Sequence, residues 1–205
     1  MFPQTKAYYL AGNKVISIIG ARSESLLFWL DRMKSFSNQL HIATDDGSAG
    51  RKAYAAQILE ELIEQGEHFD EVVAIGPVPH MKAVTDVCKR HGVPVVVSLN
   101  PIMVDGTGMC GGCRVSVNGS VKYACVDGPE FDGAAVDFKE LMDRLGMYKD
   151  IESGLNKEQA IERHDHACRL EELAVALETR AQERESSPNS FEDLTAAYLL
   201  KTVSR

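Results

Sequence analysis

Residues 15–20 read VISIIG: Val15, Ile16, Ser17, Ile18, Ile19 and Gly20, an almost unbroken apolar run closed by glycine. A strand with one wet face alternates apolar and polar residues. A run such as this fits a strand covered on both faces, as in a parallel sheet. Three similar runs follow, LHIAT at 40–44, EVVAIG at 71–76 and PVVVSL at 94–99. Helical spacing fills the intervals. Leu26, Leu27, Leu30 and Met33 recur behind a cap at Ser23 or Ser25; Ile58, Leu59, Leu62 and Ile63 turn inward on a helix from about 51 to 65; a third helix runs from about 80 to 91 and stops at Gly92. Alternation of this kind predicts an α/β fold, a doubly wound parallel sheet with right-handed crossovers and helices on both faces. The opening MFPQTKAYYL reads as the later part of a helix ending at Gly12. A dinucleotide-binding sheet begins with a strand and a Gly-rich turn at a helix N-terminus, and neither stands in these residues. The expectation is therefore a sheet lacking its first strand, in a sequence that starts after the phosphate loop.

The chemistry gathers further on. Residues 104–128, VDGTGMCGGCRVSVNGSVKYACVDG, hold three of the five cysteines. Their spacing is Asp105-x4-Cys110-x2-Cys113-x11-Cys125. Plant-type 2Fe-2S proteins use C-x4-C-x2-C and a more distant fourth cysteine, so this is that pattern with a carboxylate in first place. Gly106, Gly108, Gly111 and Gly112 suit a loop that bends tightly and aims backbone N–H groups at sulfur. The hairpin signal Asn118-Gly119 pairs 114–117 with 120–124 and brings Cys125 back toward Cys113. Structural zinc would accept three cysteines and an aspartate, although zinc ribbons usually supply two C-x2-C pairs. Asp105 is alternatively an Asp-Gly turn residue, which leaves three ligands. Disulfides are disfavoured by the odd cysteine count and the absence of a secretory signal.

Composition sets bounds. A chain of 205 residues, 44% apolar and 25% charged, supports one ordinary core with appendages. A net charge of -8 argues against a general nucleic-acid binder. No apolar run approaches the roughly 20 residues of a membrane span, which gives the expectation of a cytoplasmic protein with reduced thiols. Three regions are expected: a partial nucleotide-binding α/β domain at 1–99, a cluster module at 100–150 and a helical extension at 151–205. Within the second, residues 137–145 form a short helix with Phe138, Leu141 and Leu145 on one face. In the third, Asn156 and Gln159 suit a capping arrangement, and residues Ile161 to Ala181 carry a broad apolar stripe. Of His164, His166 and Cys168, only His164 and Cys168 share a helix face, which favours a structural role over a metal site. Cys88 falls on the apolar side of its helix and reads as a small buried hydrophobe.

Taken together, VISIIGARSESLLFWLDRMKSF, ATDDGSAGRK, AIGPVPHMKAV, SLNPIMVDGTGMCGGCRVSVNG and YACVDGPEFDGAAVDFKELM resemble the small subunit of NADH-dependent reduced ferredoxin:NADP oxidoreductase. That family is also called sulfide dehydrogenase alpha subunit, and it is related to the electron-transfer subunit of dihydroorotate dehydrogenase. The resemblance spans about residues 1–148. It implies a ferredoxin-reductase-like flavoprotein with FAD on an N-terminal barrel, NAD(P) on the α/β domain, and a 2Fe-2S cluster relaying electrons to a larger oxidoreductase subunit of a heterodimer, with ferredoxin a further partner. It implies cluster ligation by Asp105, Cys110, Cys113 and Cys125; the dihydroorotate branch has cysteine in place of Asp105. It places Gly20 and Arg22 near the adenosine ribose, Asp46 in the next loop, and Gly76 and Pro77 near nicotinamide and flavin. The flavin barrel itself is not in these residues.

Overall fold

The computed structural model describes residues 1–154. Contacts divide the chain into two compact units, Met1–Tyr148 and Lys149–Arg205, and of the second only residues 149–154 are described. The expected helical extension with Asn156, Gln159, His164, His166 and Cys168 lies outside the described residues.

The first unit opens with helix α1 (Phe2–Leu10), which ends just before Gly12, as its sequence predicts. Strand β1 (Ile16–Ala21) pairs in parallel with β2 (Gln39–Thr44), and Ile16 lies opposite Gln39. Between them the expected single helix is broken. A short 3-10 turn, Glu24–Leu26, is followed by helix α2 (Leu30–Ser35), and Trp29 stands between them in the left-handed region with φ of 57°. Neither Ser23 nor Ser25 caps the backbone; their hydroxyls bond each other at 2.9 Å. Leu26, read as inward-facing, is exposed, so periodicity here tracked a surface turn.

The next helix also begins later than its sequence suggests. Arg51 and Lys52 form a short strand, β3, in parallel with the end of β2. Helix α3 (Ala55–Glu64) starts once Tyr54 N–H donates to the Gln57 side chain at 2.8 Å, and it buries Ile58, Leu59 and Leu62. Strand β4 (Val72–Ile75) leads through Pro77 into helix α4 (Val78–His91), which ends at Gly92. Strand β5 (Val95–Ser98) pairs in parallel with β4.

The strands are parallel as expected, but among the described residues they form two sheets rather than one. The order β1-β2-β3 stands apart from β4-β5-β8, where β8 (Glu130–Asp132) runs antiparallel to β5. The break falls between β1 and β4. The main core lies around β5 and α4, where Met81, Cys88 and Val97 are fully buried, so Cys88 is the buried hydrophobe that its helical position indicates. None of the helices of the described residues is long and apolar enough to cross a membrane.

Candidate metal centre

After Leu99 the chain leaves the sheet and makes an irregular loop to Cys113. It then forms the hairpin β6 (Arg114–Val117) and β7 (Ser120–Tyr123) around Asn118 and Gly119, both at positive φ. Val115 enters the core at the hairpin centre. The hairpin is held to the chain beyond β8 by Asn118 N–H to the Ala135 carbonyl and by Asp137 N–H to the Ser116 carbonyl. Helix α5 (Phe138–Gly146), capped by the Asp137 carboxylate on Glu140 N–H at 2.9 Å, packs Phe138 and Leu141 beneath it.

Register decides where two cysteines meet. Arg114 lies opposite Tyr123 and Ala124 N–H donates to the Cys113 carbonyl at 3.1 Å, so Cys113 and Cys125 leave the hairpin side by side. Their sulfurs are 3.2 Å apart, one thiol donating to the other. The Cys125 N–H and then the Cys125 thiol hold the Cys113 thiol below its ordinary value, while Cys113 pushes Cys125 up. One of the pair therefore gives up its proton more readily, and the thiolate is the form that binds metal.

Asp105 and Cys110 form the other pair. The Asp105 carboxylate accepts the N–H of Thr107 and of Cys110, both at 2.9 Å. Those donors, Thr107 first, hold its carboxyl below the usual carboxylate range. The turn role weighed for Asp105 is thus present in the structure. Gly112 N–H points at Cys110 Sγ over 3.4 Å, the sulfur-directed amide that the glycine pattern predicts. Gly106, Gly108 and Gly111 all have positive φ, a conformation that costs other residues about 1–2 kcal/mol. Among the described residues, no three His, Cys, Asp or Glu side chains gather at one point. The four candidate ligands stand as two pairs, Asp105 with Cys110 and Cys113 with Cys125. Three soft sulfurs and one carboxylate in a loop with an amide aimed at sulfur fit an iron–sulfur cluster in donor chemistry. One residue of the site is not signalled by the sequence: Arg144 Nη2, on α5, donates to the Gly112 carbonyl at 3.2 Å and ties the Cys110–Cys113 turn to the helix.

The five nucleotide candidates lie at the carboxyl ends of parallel strands, where open α/β sheets bind ligands. Gly20 is in β1 and Arg22 follows it. Asp46 follows β2, accepting Ser48 N–H at 2.9 Å and the Ser48 hydroxyl at 2.6 Å, and its own N–H donates to the Arg22 carbonyl at 3.3 Å. These contacts hold the Asp46 carboxyl below its ordinary range, the Ser48 hydroxyl contributing most. Gly76 follows β4 and Pro77 stands at the N-cap of α4. A Cβ on Gly76 would lie 2.9 Å from the His80 ring, so glycine there has a packing reason of its own.

Residues 100–137 match the model of the iron-sulfur cluster binding domain of dihydroorotate dehydrogenase B. Over 152 residues the chain is 47% identical to the dihydroorotate dehydrogenase B (NAD(+)) electron transfer subunit homolog of Thermotoga maritima, covering 74% of this chain and 53% of that protein. It is 36% identical over 143 residues to a probable electron transfer subunit of the same type from Methanocaldococcus jannaschii, covering 70% of this chain and 53% of that one. A solved structure of the NADH-dependent reduced ferredoxin-NADP oxidoreductase, studied for flavin-based electron bifurcation, superimposes with a TM-score of 0.70 at 44% identity, over 78% of this chain and 57% of the other. The likeness read from the sequence is thus the one found by comparison. The chain spans about half the length of these relatives.

Proposed function

We propose that this chain is the cluster-bearing part of an electron-transfer subunit in an iron–sulfur flavoprotein oxidoreductase of the NAD(P)H:ferredoxin type. The observation that carries the reading is the set of four donors, Asp105 beside Cys110 in the glycine-rich loop and Cys113 beside Cys125 at the foot of the hairpin. Cys113 and Cys125 would hold one iron, Asp105 and Cys110 the other. When bound, a 2Fe-2S cluster carries one electron at a time between a flavin and a partner.

The chain's own residues set the conditions for that transfer. Gly112 N–H places a positive dipole on Cys110 Sγ, which favours the reduced, more negative state. Asp105 contributes a hard oxygen donor where the related dihydroorotate branch has a thiolate, and this favours the ferredoxin-dependent reading. Gly20, Arg22, Asp46, Gly76 and Pro77 would contact NAD(P) and the flavin edge in the complete protein, with FAD and a larger heterodimeric subunit supplied from outside these residues. Ferredoxin is a further exchange partner.

Anaerobic purification followed by iron and acid-labile sulfide analysis tests the proposal. The expected product is brown, holds two irons and two sulfides in the 2Fe-2S unit, and bleaches on reduction. A colourless protein containing zinc would replace this reading with that of a zinc-stabilised interaction module.

A further inference from the structure

Backbone hydrogen bonds alone bring Cys113 and Cys125 together. In a regular hairpin, residues directly opposite share a face and the next residue turns to the other. Ala124 N–H donates to the Cys113 carbonyl and places these two opposite, so a continued strand would aim Cys125 away from Cys113. A tight turn prevents this. Val126 N–H and Asp127 N–H both donate to the Tyr123 carbonyl, at 3.0 and 2.7 Å, and Tyr123 N–H donates to the Asp127 carboxylate at 2.7 Å. Val115 and Ala124, both buried, anchor the frame from below.

The two sulfurs stand 3.2 Å apart, against about 2.05 Å in a disulfide, so an approach of about 1 Å would join them. Cys110 belongs to a different frame. It is exposed, in a turn held by its N–H on the Asp105 carboxylate and by Gly112 N–H on its sulfur. Among the described residues no third ligand-type side chain gathers with Cys113 and Cys125. Chain separation alone favours the reverse choice, because Cys110 and Cys113 close the shorter loop, and short loops cost less entropy to close. The fold therefore overrides the spacing: it holds a pair 12 residues apart ready to join, and it stations Cys110 elsewhere.

We propose that Cys113 and Cys125 form a reversible disulfide when the loop is metal-free, and that this bond closes the site against metal until it is reduced. The oxidant is a low-molecular-weight disulfide, R–S–S–R. Cys125, the more accessible of the two, loses its proton and attacks one sulfur, giving a mixed disulfide and RS−. The Cys113 thiolate then attacks Cys125 Sγ and expels the second RS−. Two protein thiols are oxidised, the reagent is reduced to two RSH, and the two thiol protons go to the leaving groups. Excess RSH runs the exchange backwards. The thiolate is the form that binds metal, so the bond withdraws both donors assigned to one iron. That consequence rests on the ligand assignment above, whereas the choice of partner cysteines rests on the hairpin alone.

The test uses the full chain, stripped of metal with a chelator under argon, fully reduced, and then exposed to glutathione disulfide. Free thiols are alkylated, and linked peptides are identified by mass spectrometry after digestion. The Cys113–Cys125 link is expected to exceed the Cys110–Cys113 link by about tenfold or more, to persist in Cys110→Ser, and to lose its advantage in denaturant. Cobalt(II) binding, read by thiolate-to-metal charge-transfer absorbance, is expected to weaken about tenfold or more in the oxidised chain and to recover after reduction with a phosphine. A dominant Cys110–Cys113, mixed or intermolecular disulfide would overturn the proposal and leave the ligand assignment standing. An undiminished preference in denaturant would also overturn it, because the hairpin would then decide nothing. If the Cys113–Cys125 bond forms and cobalt binds as tightly as before, the switch and the ligand assignment fall together.

Discussion

Cys88 and Cys113 are both buried cysteines, yet they belong to regions held together in different ways. Cys88, on α4, belongs to an apolar core cluster with Met81, Val84 and Val97; burial pushes the thiol up to about 11. Around Cys113 the neighbours are a second thiol and backbone amides, and its thiol is lowered instead. Packing gives the α/β part its order. The loop from 101 to 113 takes its order from a carboxylate and amide dipoles, with few buried side chains. One side-chain type therefore yields an inert hydrophobe in the first setting and a candidate metal ligand in the second.

Breaking the loop without touching the core is expected to have the largest effect. Cys113→Ser should remove bound iron and sulfide, measured by metal analysis, while far-ultraviolet circular dichroism stays unchanged; Asp105→Cys should retain a cluster of altered reduction potential. The converse change is Met81→Ala in the core, which should cost about 2–5 kcal/mol in denaturant unfolding with iron content per folded protein preserved. Gly133→Ala probes the seam between the regions. Its Cβ would lie 2.8 Å from the Thr85 hydroxyl and 2.9 Å from Val97, so a loss of about 1–3 kcal/mol is expected, read by the same unfolding curves. Arg144→Ala should leave cluster content intact but shift its potential, because the Gly112 carbonyl loses a bond worth about 0.5–1.5 kcal/mol; protein-film voltammetry would show it. The smallest effect concerns His80, whose imidazole burial holds below its ordinary value. The unfolded chain then binds a proton the folded chain refuses, so the His80 contribution is level above about pH 6.5 and falls as pH drops toward the lower folded value. His80→Gln should flatten that slope in unfolding measured across the acid range.

What the sequence discloses follows the same division. Strands β1, β4 and β5 are legible because two covered faces force an unbroken apolar run, and α4 because Gly92 and its periodicity agree. The hairpin is legible through Asn118-Gly119, which needs positive φ at two successive residues. The α2 region misleads, since Leu26 and Leu30 repeat at helical spacing while Trp29 in the left-handed region divides them. Strand β8 gives no periodic signal in three residues, Glu130, Phe131 and Asp132, because its pairing with β5 is decided by tertiary placement. Arg144 is silent for a related reason: its acceptor is a carbonyl 32 residues away in sequence, and only the packing of α5 brings the two together.

Leu99 N–H donates to the Pro129 carbonyl at 2.9 Å, and Ser98 lies opposite Glu130 in the adjoining ladder. The chain thus departs from the sheet and rejoins it at neighbouring points, with all four candidate ligands in between. Segments whose ends adjoin can be exchanged with little disturbance to their host. Residues 100–129 have the form of a cassette, open to replacement by the counterpart segment of a relative, so that the donor set can be varied as a module while the sheet that receives it stays the same.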